Sequence, residues 1–310
     1  MRNVLLFRLG GLGDLLVAFP AIHLIRKTFP SAELTLVCRE EYGLLLQEAG
    51  VVDRVMRGDG PRLLPLFAGS AVPGKELKEW LNGFDLVAGW LQGKSKGALE
   101  NSLTATSISG ERRFFYYPPE SREQISRFFF RQTSGVLEGD RPAEFPFDEC
   151  AKLPPSPAPK KVLGLITKER GRKFVVVHPG SGSEKKCWPV QNFLEIIGRL
   201  GQKGVGGIVV TGQAEERMEP LIKRTPLPRG WSWLRSPSLV VLSALLQEAD
   251  LYLGNDSGIT HLAASCGTEV VALFREDLVT AWRPYGRARL LSAGSLEEIT
   301  IDSVWEMIPF

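Results

Sequence analysis

The chain has 310 residues, of which 44% are hydrophobic and 24% charged, and carries a formal net charge of +3. That balance describes a folded globular protein long enough for two domains, and so small a charge gives no reason to expect nucleic acid as a partner. No uninterrupted apolar stretch reaches the ~18 residues that a membrane span requires, so the chain reads as cytoplasmic. Its cysteines, Cys38, Cys150, Cys187 and Cys266, are scattered without metal-ligand spacing and read as reduced thiols.

The first apolar run, Val4 to Phe7, is of the kind found in a buried parallel strand. A glycine-rich turn, Arg8-Leu-Gly-Gly-Leu-Gly-Asp14, follows it. Leu15, Leu16, Phe19, Ile22, Leu24 and Ile25 then mark an apolar helical face, with Pro20 expected near a helix start or at a kink. Asp14 sits within what would be the hydrophobic region of a secretory leader, which argues against one. Glu33 to Cys38 completes a βαβ opening, and Asp53-Arg-Val-Met and Phe84-Asp-Leu-Val-Ala continue the alternation of a doubly wound parallel sheet. Gly11-Leu-Gly13 resembles a dinucleotide fingerprint, but leucine stands at the third glycine position. Asp14 either caps the helix or serves as general base at the carboxyl edge of the first strand.

The stretch from Ile108 to Pro146 contains Arg112-Arg113-Phe-Phe-Tyr-Tyr117 and Arg127-Phe-Phe-Phe-Arg131. Ile125, Phe128, Phe129 and Gln132 fall at helical spacing and predict a buried helix face. The alternatives for this stretch are an acceptor-binding or membrane-facing surface and base stacking on nucleic acid.

Four prolines between Pro154 and Pro159 mark a semi-rigid linker, residues 154–161, between an N-terminal domain at 1–153 and a C-terminal domain at 162–310. The second βα series opens with Lys173-Phe-Val-Val-Val-His178 and runs into Pro-Gly-Ser-Gly182, then Ser183, Lys185 and Lys186. Loop hydroxyls with Lys186 would make a phosphate-binding element, although a pair of solvated surface lysines remains open. The following helix is expected to start at Pro189 and to bury Phe193, Ile196, Ile197 and Leu200. After the strand Gly207 to Gly212, either Glu215 or Glu216 is placed to accept hydrogen bonds from a ribose diol, with solvated helix residues as the alternative for both. Ser243 to Asp250 reads as a helix.

Leu251-Tyr-Leu-Gly-Asn-Asp-Ser-Gly-Ile-Thr-His261 reads as a strand, a tight turn and a capped helix. The first turn of such a helix, at Asp256, Ser257 and Gly258, presents unpaired N–H groups and suits phosphate. His261 is close enough to point at the same anion. Thr268 to Phe274 is read as the next strand.

Three motifs, in order, resemble those of glycosyltransferase family 9, the heptosyltransferase group. They are Arg8-Leu-Gly-Gly-Leu-Gly-Asp14 with Pro20-Ala, His178-Pro-Gly-Ser-Gly182 with Trp188-Pro, and Gly254-Asn-Asp-Ser-Gly258 with His261 and Ala263-Ala264. The resemblance covers roughly residues 2–40 and 173–274, and none is apparent from about 60 to 150. It implies a GT-B architecture, an α/β fold of two Rossmann-like domains whose parallel sheets face one another across a central cleft. It further implies an inverting, metal-independent transfer of heptose from a nucleotide-diphosphate sugar, typically ADP-heptose, to a hydroxyl of the lipopolysaccharide core.

Carried over by motif position, Asp14 is the base, and Gly11 and Gly13 line the acceptor side. Ser181, Gly182, Ser183, Lys186, Asp256, Ser257, Gly258 and His261 hold the donor; the ribose contact read from the strand end, Glu215 or Glu216, stays open between the two. No cofactor is implied beyond the donor, and contact with the inner membrane would be peripheral at most. The sequence departs from the family after Phe274, where Arg275-Glu-Asp-Leu278 replaces a Gly-Pro-Thr-Asp-Pro-like turn. An NAD(P)-dependent oxidoreductase using Gly11 and Gly13, and a non-catalytic nucleotide-sugar-binding protein, are the competing readings.

Overall fold

The structure is a computed structural model that describes residues 1–67, 74–92, 98–105, 109–118, 120–138, 152–155 and 172–310. Two compact units divide the chain, Met1–Pro146 and Phe147–Phe310. Leu153 belongs with the second unit: its N–H donates to the Ser265 carbonyl at 2.8 Å, and its own carbonyl accepts from Gln247 at 3.1 Å. Of the expected linker, residues 156–161 lie outside the described residues, as does Cys150.

The first unit holds a five-stranded sheet, β1 (Asn3–Phe7), β2 (Glu33–Cys38), β3 (Arg54–Arg57), β4 (Leu86–Gln92) and β5 (Glu111–Tyr117), in the order β3-β2-β1-β4-β5. Every pairing is parallel. Parallel strands are covered on both faces, which is why Val4 to Phe7 is apolar without alternation and wholly buried. Helices α1 (Leu12–Thr28), α2 (Glu40–Glu48), α3 (Leu64–Phe67), α4 (Lys75–Leu81), α5 (Ala98–Ala105) and α6 (Ile125–Glu138) complete this unit. Leu5 and Phe7 face a cluster built from α3, α4 and α5, while α1 packs against α6.

Two expectations meet different outcomes in these helices. Pro20 lies well inside α1 rather than near its start. An interior proline costs about 3 kcal/mol, and the buried face from Leu12 to Ile25 offsets that cost through packing. The helical spacing at 125–132 is observed as α6, with Ile125 and Phe129 buried and Phe128 half-buried against Tyr117.

The second unit holds six parallel strands, β6 (Phe174–His178), β7 (Gly206–Thr211), β8 (Trp231–Arg235), β9 (Leu251–Asn255), β10 (Val270–Arg275) and β11 (Ala288–Ala293). Their order is β11-β10-β9-β6-β7-β8. Its helices are α7 (Val190–Gln202), α8 (Glu219–Arg224), α9 (Leu239–Glu248), α10 (Gly258–Ser265), α11 (Glu276–Trp282) and α12 (Ile301–Glu306). Pro189 caps α7 from outside rather than opening it, and Phe193, Ile196, Ile197 and Leu200 are buried in the core as their spacing predicts.

Strand order also locates the sites. In open parallel sheets, ligands bind beyond the carboxyl ends of the strands where the winding reverses. The reversal falls between β1 and β4 in the first sheet and between β6 and β9 in the second. Asp14 follows β1, and the Gly/Ser loop and Asp256 follow β6 and β9.

Candidate functional site

In the first unit, Arg8 leaves β1 with a side chain only 2% exposed, and each of its three nitrogens donates a hydrogen bond. Nε donates to the Asp14 carbonyl at 2.6 Å, Nη1 to the Trp90 carbonyl at 2.8 Å, and Nη2 to Asp14 Oδ1 at 3.1 Å. The guanidinium also lies over the Phe129 ring. Burial lowers its pKa to about 10, with the charge of Asp14 acting in the opposite sense, so Arg8 remains a cation at neutral pH.

The other Asp14 oxygen, Oδ2, accepts the Gly11 N–H at 2.8 Å. Asp14 therefore caps α1, one of the two roles left open by its sequence. The cap does not exhaust the carboxylate, because each oxygen has a second lone pair and the side chain is 28% exposed. Gly11 spends its N–H inside the turn, and Gly13 lies half-buried in the first turn of α1. Gly10 has φ +121, and a Cβ there would stand 2.6 Å from Asp14 Oδ2, so the turn admits only glycine at that position.

In the second unit, β6 runs into the loop Pro179 to Trp188. Ser181 is buried, and its hydroxyl donates to the Asp256 carbonyl at 2.6 Å. Gly182, Ser183 and Lys185 are exposed. Lys186 is half-buried, with Nζ 2.8 Å from Asp256 Oδ2, and it is this contact that distinguishes it from its solvated neighbour. Ser257 caps α10, its hydroxyl accepting the Thr260 N–H at 3.3 Å, and helix geometry directs the N–H groups of Gly258 and Ile259 outward along the axis. The half-buried Ser257 and Gly258 leave that helix end approachable. Ser181, Lys186, Asp256, Ser257 and Gly258 are thus brought together at the switch point of one sheet.

His261 and Glu215 lie deeper than the other donor-side residues. His261 is 1% exposed and meets Trp282 edge to face, at 6.5 Å between ring centroids. Glu215 is 3% exposed and turned inward: its Oε2 accepts the Gly212 N–H at 2.6 Å and lies 3.7 Å from His178 Nε2. Burial alone would raise its pKa, but the neighbouring His178 and the Gly212 N–H outweigh that and hold it below the ordinary carboxylate value. Of the two carboxylates weighed for a ribose, the exposed one is Glu216.

Sequence reasoning gave no role to Arg8, Asn255 or Tyr252. The Tyr252 hydroxyl meets Thr260 Oγ1 at 3.1 Å, a bond that ties the middle of β9 to the first turn of α10. For Tyr252 and Asn255 the available signal was a polar side chain inside an otherwise apolar strand, and for Arg8 a charge set directly after one. Of the thiols, Cys38 and Cys266 are buried, and burial, followed by the charge of Glu215, pushes that of Cys187 up to about 11.

Tandem parallel-sheet α/β domains with polar, glycine-rich turns at both switch points define the construction of a GT-B glycosyltransferase. The family model of glycosyltransferase family 9 (heptosyltransferase) matches residues 136–298, more than half of the chain. The chain belongs to that family, and it is a glycosyltransferase; the oxidoreductase and non-catalytic readings fall. It is 23% identical to the lipopolysaccharide core heptosyltransferase OpsX of Haemophilus influenzae, over 92% of this chain and 82% of that one. Among solved structures it resembles a family 9 glycosyltransferase from Veillonella parvula, with TM-score 0.75, 16% identity, and coverage of 98% of this chain and 95% of that one. The complex of Escherichia coli heptosyltransferase WaaC with ADP gives TM-score 0.71 and 16% identity, covering 98% of each chain.

Proposed function

We propose that this glycosyltransferase moves heptose from ADP-heptose to a hydroxyl of the lipopolysaccharide core, with inversion at the anomeric carbon and without a metal ion. The observation that carries the donor assignment is the convergence of Lys186, Asp256 and the capped start of α10 on one switch point. Expulsion of a nucleoside diphosphate develops negative charge on the leaving phosphate. Lys186, the Ser183 hydroxyl and the first N–H groups of α10 supply positive potential where a metal would otherwise be required. Ser181 and Glu215 support the loop from beneath rather than reaching the ligand, and His261 closes the floor of the site behind Ser257.

Asp14 is the proposed base. Arg8 and Gly11 hold its two oxygens while leaving a lone pair on each for the acceptor hydroxyl, whose proton it takes as the oxygen attacks. Gly11 and Gly13 keep the acceptor side of the turn free of side chains. Heptose, ADP and the lipopolysaccharide core are supported by the names of the relatives and by the ADP complex of WaaC. Among the described residues no helix is long and apolar enough to cross a membrane, and the proposed encounter with a glycolipid acceptor at the inner membrane is peripheral.

Thermal unfolding with ADP, GDP, UDP and CDP tests the donor assignment, because a ligand that binds only the folded state raises the unfolding temperature. ADP should stabilise the protein selectively, and Lys186→Ala should abolish most of that shift. Equal stabilisation of wild type and Lys186→Ala would return Lys186 to the role of a surface lysine.

A further inference from the structure

We infer that Asn255 is a positioning residue that clasps the loop after β6 to the start of α10 and so sets the spacing of the groups that hold the donor diphosphate. The inference rests on the donor-site reading above. Asn255 ends β9 at the switch point, with a side chain 0% exposed. Its Oδ1 accepts the Trp188 N–H at 3.0 Å, and its Nδ2 donates to the Pro179 carbonyl at 2.7 Å and the Gly180 carbonyl at 3.4 Å. These partners stand at the two ends of the loop that carries Ser181, Ser183 and Lys186, so a single amide closes that loop at both ends.

The same residue is tied to the helix. Its backbone carbonyl accepts the Thr260 hydroxyl from the first turn of α10. The next carbonyl, of Asp256, accepts Ser181 Oγ. The loop and the helix start are therefore registered to each other through Asn255 and the residue after it, and Lys186 meets Asp256 as a result.

The clasp needs a donor and an acceptor on one short stem, which the carboxamide provides. Leucine, of similar size, would leave a buried N–H and a buried carbonyl unpaired. An ionised aspartate could still accept from Trp188 but would face the Pro179 and Gly180 carbonyls with a negative charge. Once protonated, the same carboxyl group regains a donor, and burial favours the protonated form.

The test compares ADP affinity, by titration calorimetry on the full chain, for wild type, Asn255→Asp and Asn255→Leu at about pH 8 and about pH 5.5. Each variant is referred to wild type at the same pH, so that the pH dependence of ADP itself cancels; the charged or ionisable side chains on the elements around this position are His178, Lys186 and Asp256. Asn255→Asp should bind at least about tenfold more weakly at the higher pH, a loss of ~1.4 kcal/mol, and recover most of it at the lower. Asn255→Leu should be weak at both. Thermal unfolding of the same samples separates fold from site: unchanged affinity alongside a lowered unfolding temperature would make Asn255 a fold support only and overturn the inference. A loss in Asn255→Asp that persists undiminished at the lower pH overturns the two-way hydrogen-bond account. If Asn255→Asp does not fold, Asn255→Ser, which keeps a hydroxyl able to donate and accept, takes its place and should bind more tightly than Asn255→Leu. Wild type that binds neither ADP nor GDP, UDP or CDP removes the donor-site reading itself, and shows it before any variant is measured.

Discussion

Asp14 and Glu215 are both held by cations or N–H groups, to different ends. Asp14 keeps lone pairs and exposure in reserve, whereas Glu215 is closed off from solvent. Asp14→Ala should lower turnover by a factor on the order of 10² or more while donor affinity stays near that of wild type; Asp14→Asn, whose single oxygen can keep the Arg8 contact but turns an NH2 group toward the Gly11 N–H, should lose turnover at some cost in stability. Near-normal turnover in either variant would remove Asp14 as base. Glu215 should instead be visible in the acid limb of stability. Its folded pKa lies below the unfolded value, so its contribution is present above the unfolded pKa and is lost as pH falls through the folded one. The unfolding temperature of Glu215→Gln should therefore fall less steeply than that of wild type between about pH 5 and pH 3, and parallel curves would show that the His178 contact contributes no linkage.

At the scale of elements, the turn after β1 is the most constrained piece. Gly10→Ala would strain a positive φ and drive a methyl group into the Asp14 carboxylate. It should cost roughly 1–3 kcal/mol, measured by denaturant unfolding, and should reduce turnover as well because the displaced group is the proposed base. Much of this level was legible in the sequence. Continuous apolar runs such as Val4–Phe7 and Phe174–Val177 announce buried parallel strands, and Ser257 before an apolar helical repeat announces a cap. What could not be read were partnerships across long chain separations. Nothing near Asn255 indicates that Trp188 donates to it, and nothing near Arg8 indicates that Trp90 and Phe129 enclose it, because both environments exist only once the sheet is assembled. Glu215 shows the complementary limit: its position just past a strand end was correctly located, but whether it turns outward or under the loop is decided by His178 on the neighbouring strand.

At the scale of the whole molecule, each unit buries its own core, so a ligand confined to the second should leave the first largely unaffected. Hydrogen exchange with ADP present should slow in 178–188 and 254–261 and change little in β1, β2 and α1; protection spread evenly over both units would contradict a donor site confined to the second. The sheets themselves carry a further consequence. The four edge strands each contain arginine: Arg54 and Arg57 in β3, Arg112 and Arg113 in β5, Arg235 in β8, and Arg289 in β11. The interior strands carry none except Arg275, at the very end of β10. An open parallel sheet offers unpaired backbone at both margins, where a second chain can add itself. On every margin at least one of these arginines is paired with a carboxylate, so a second chain adding a strand there would have to strip water from a charged pair, a cost that the apolar interior strands would not impose.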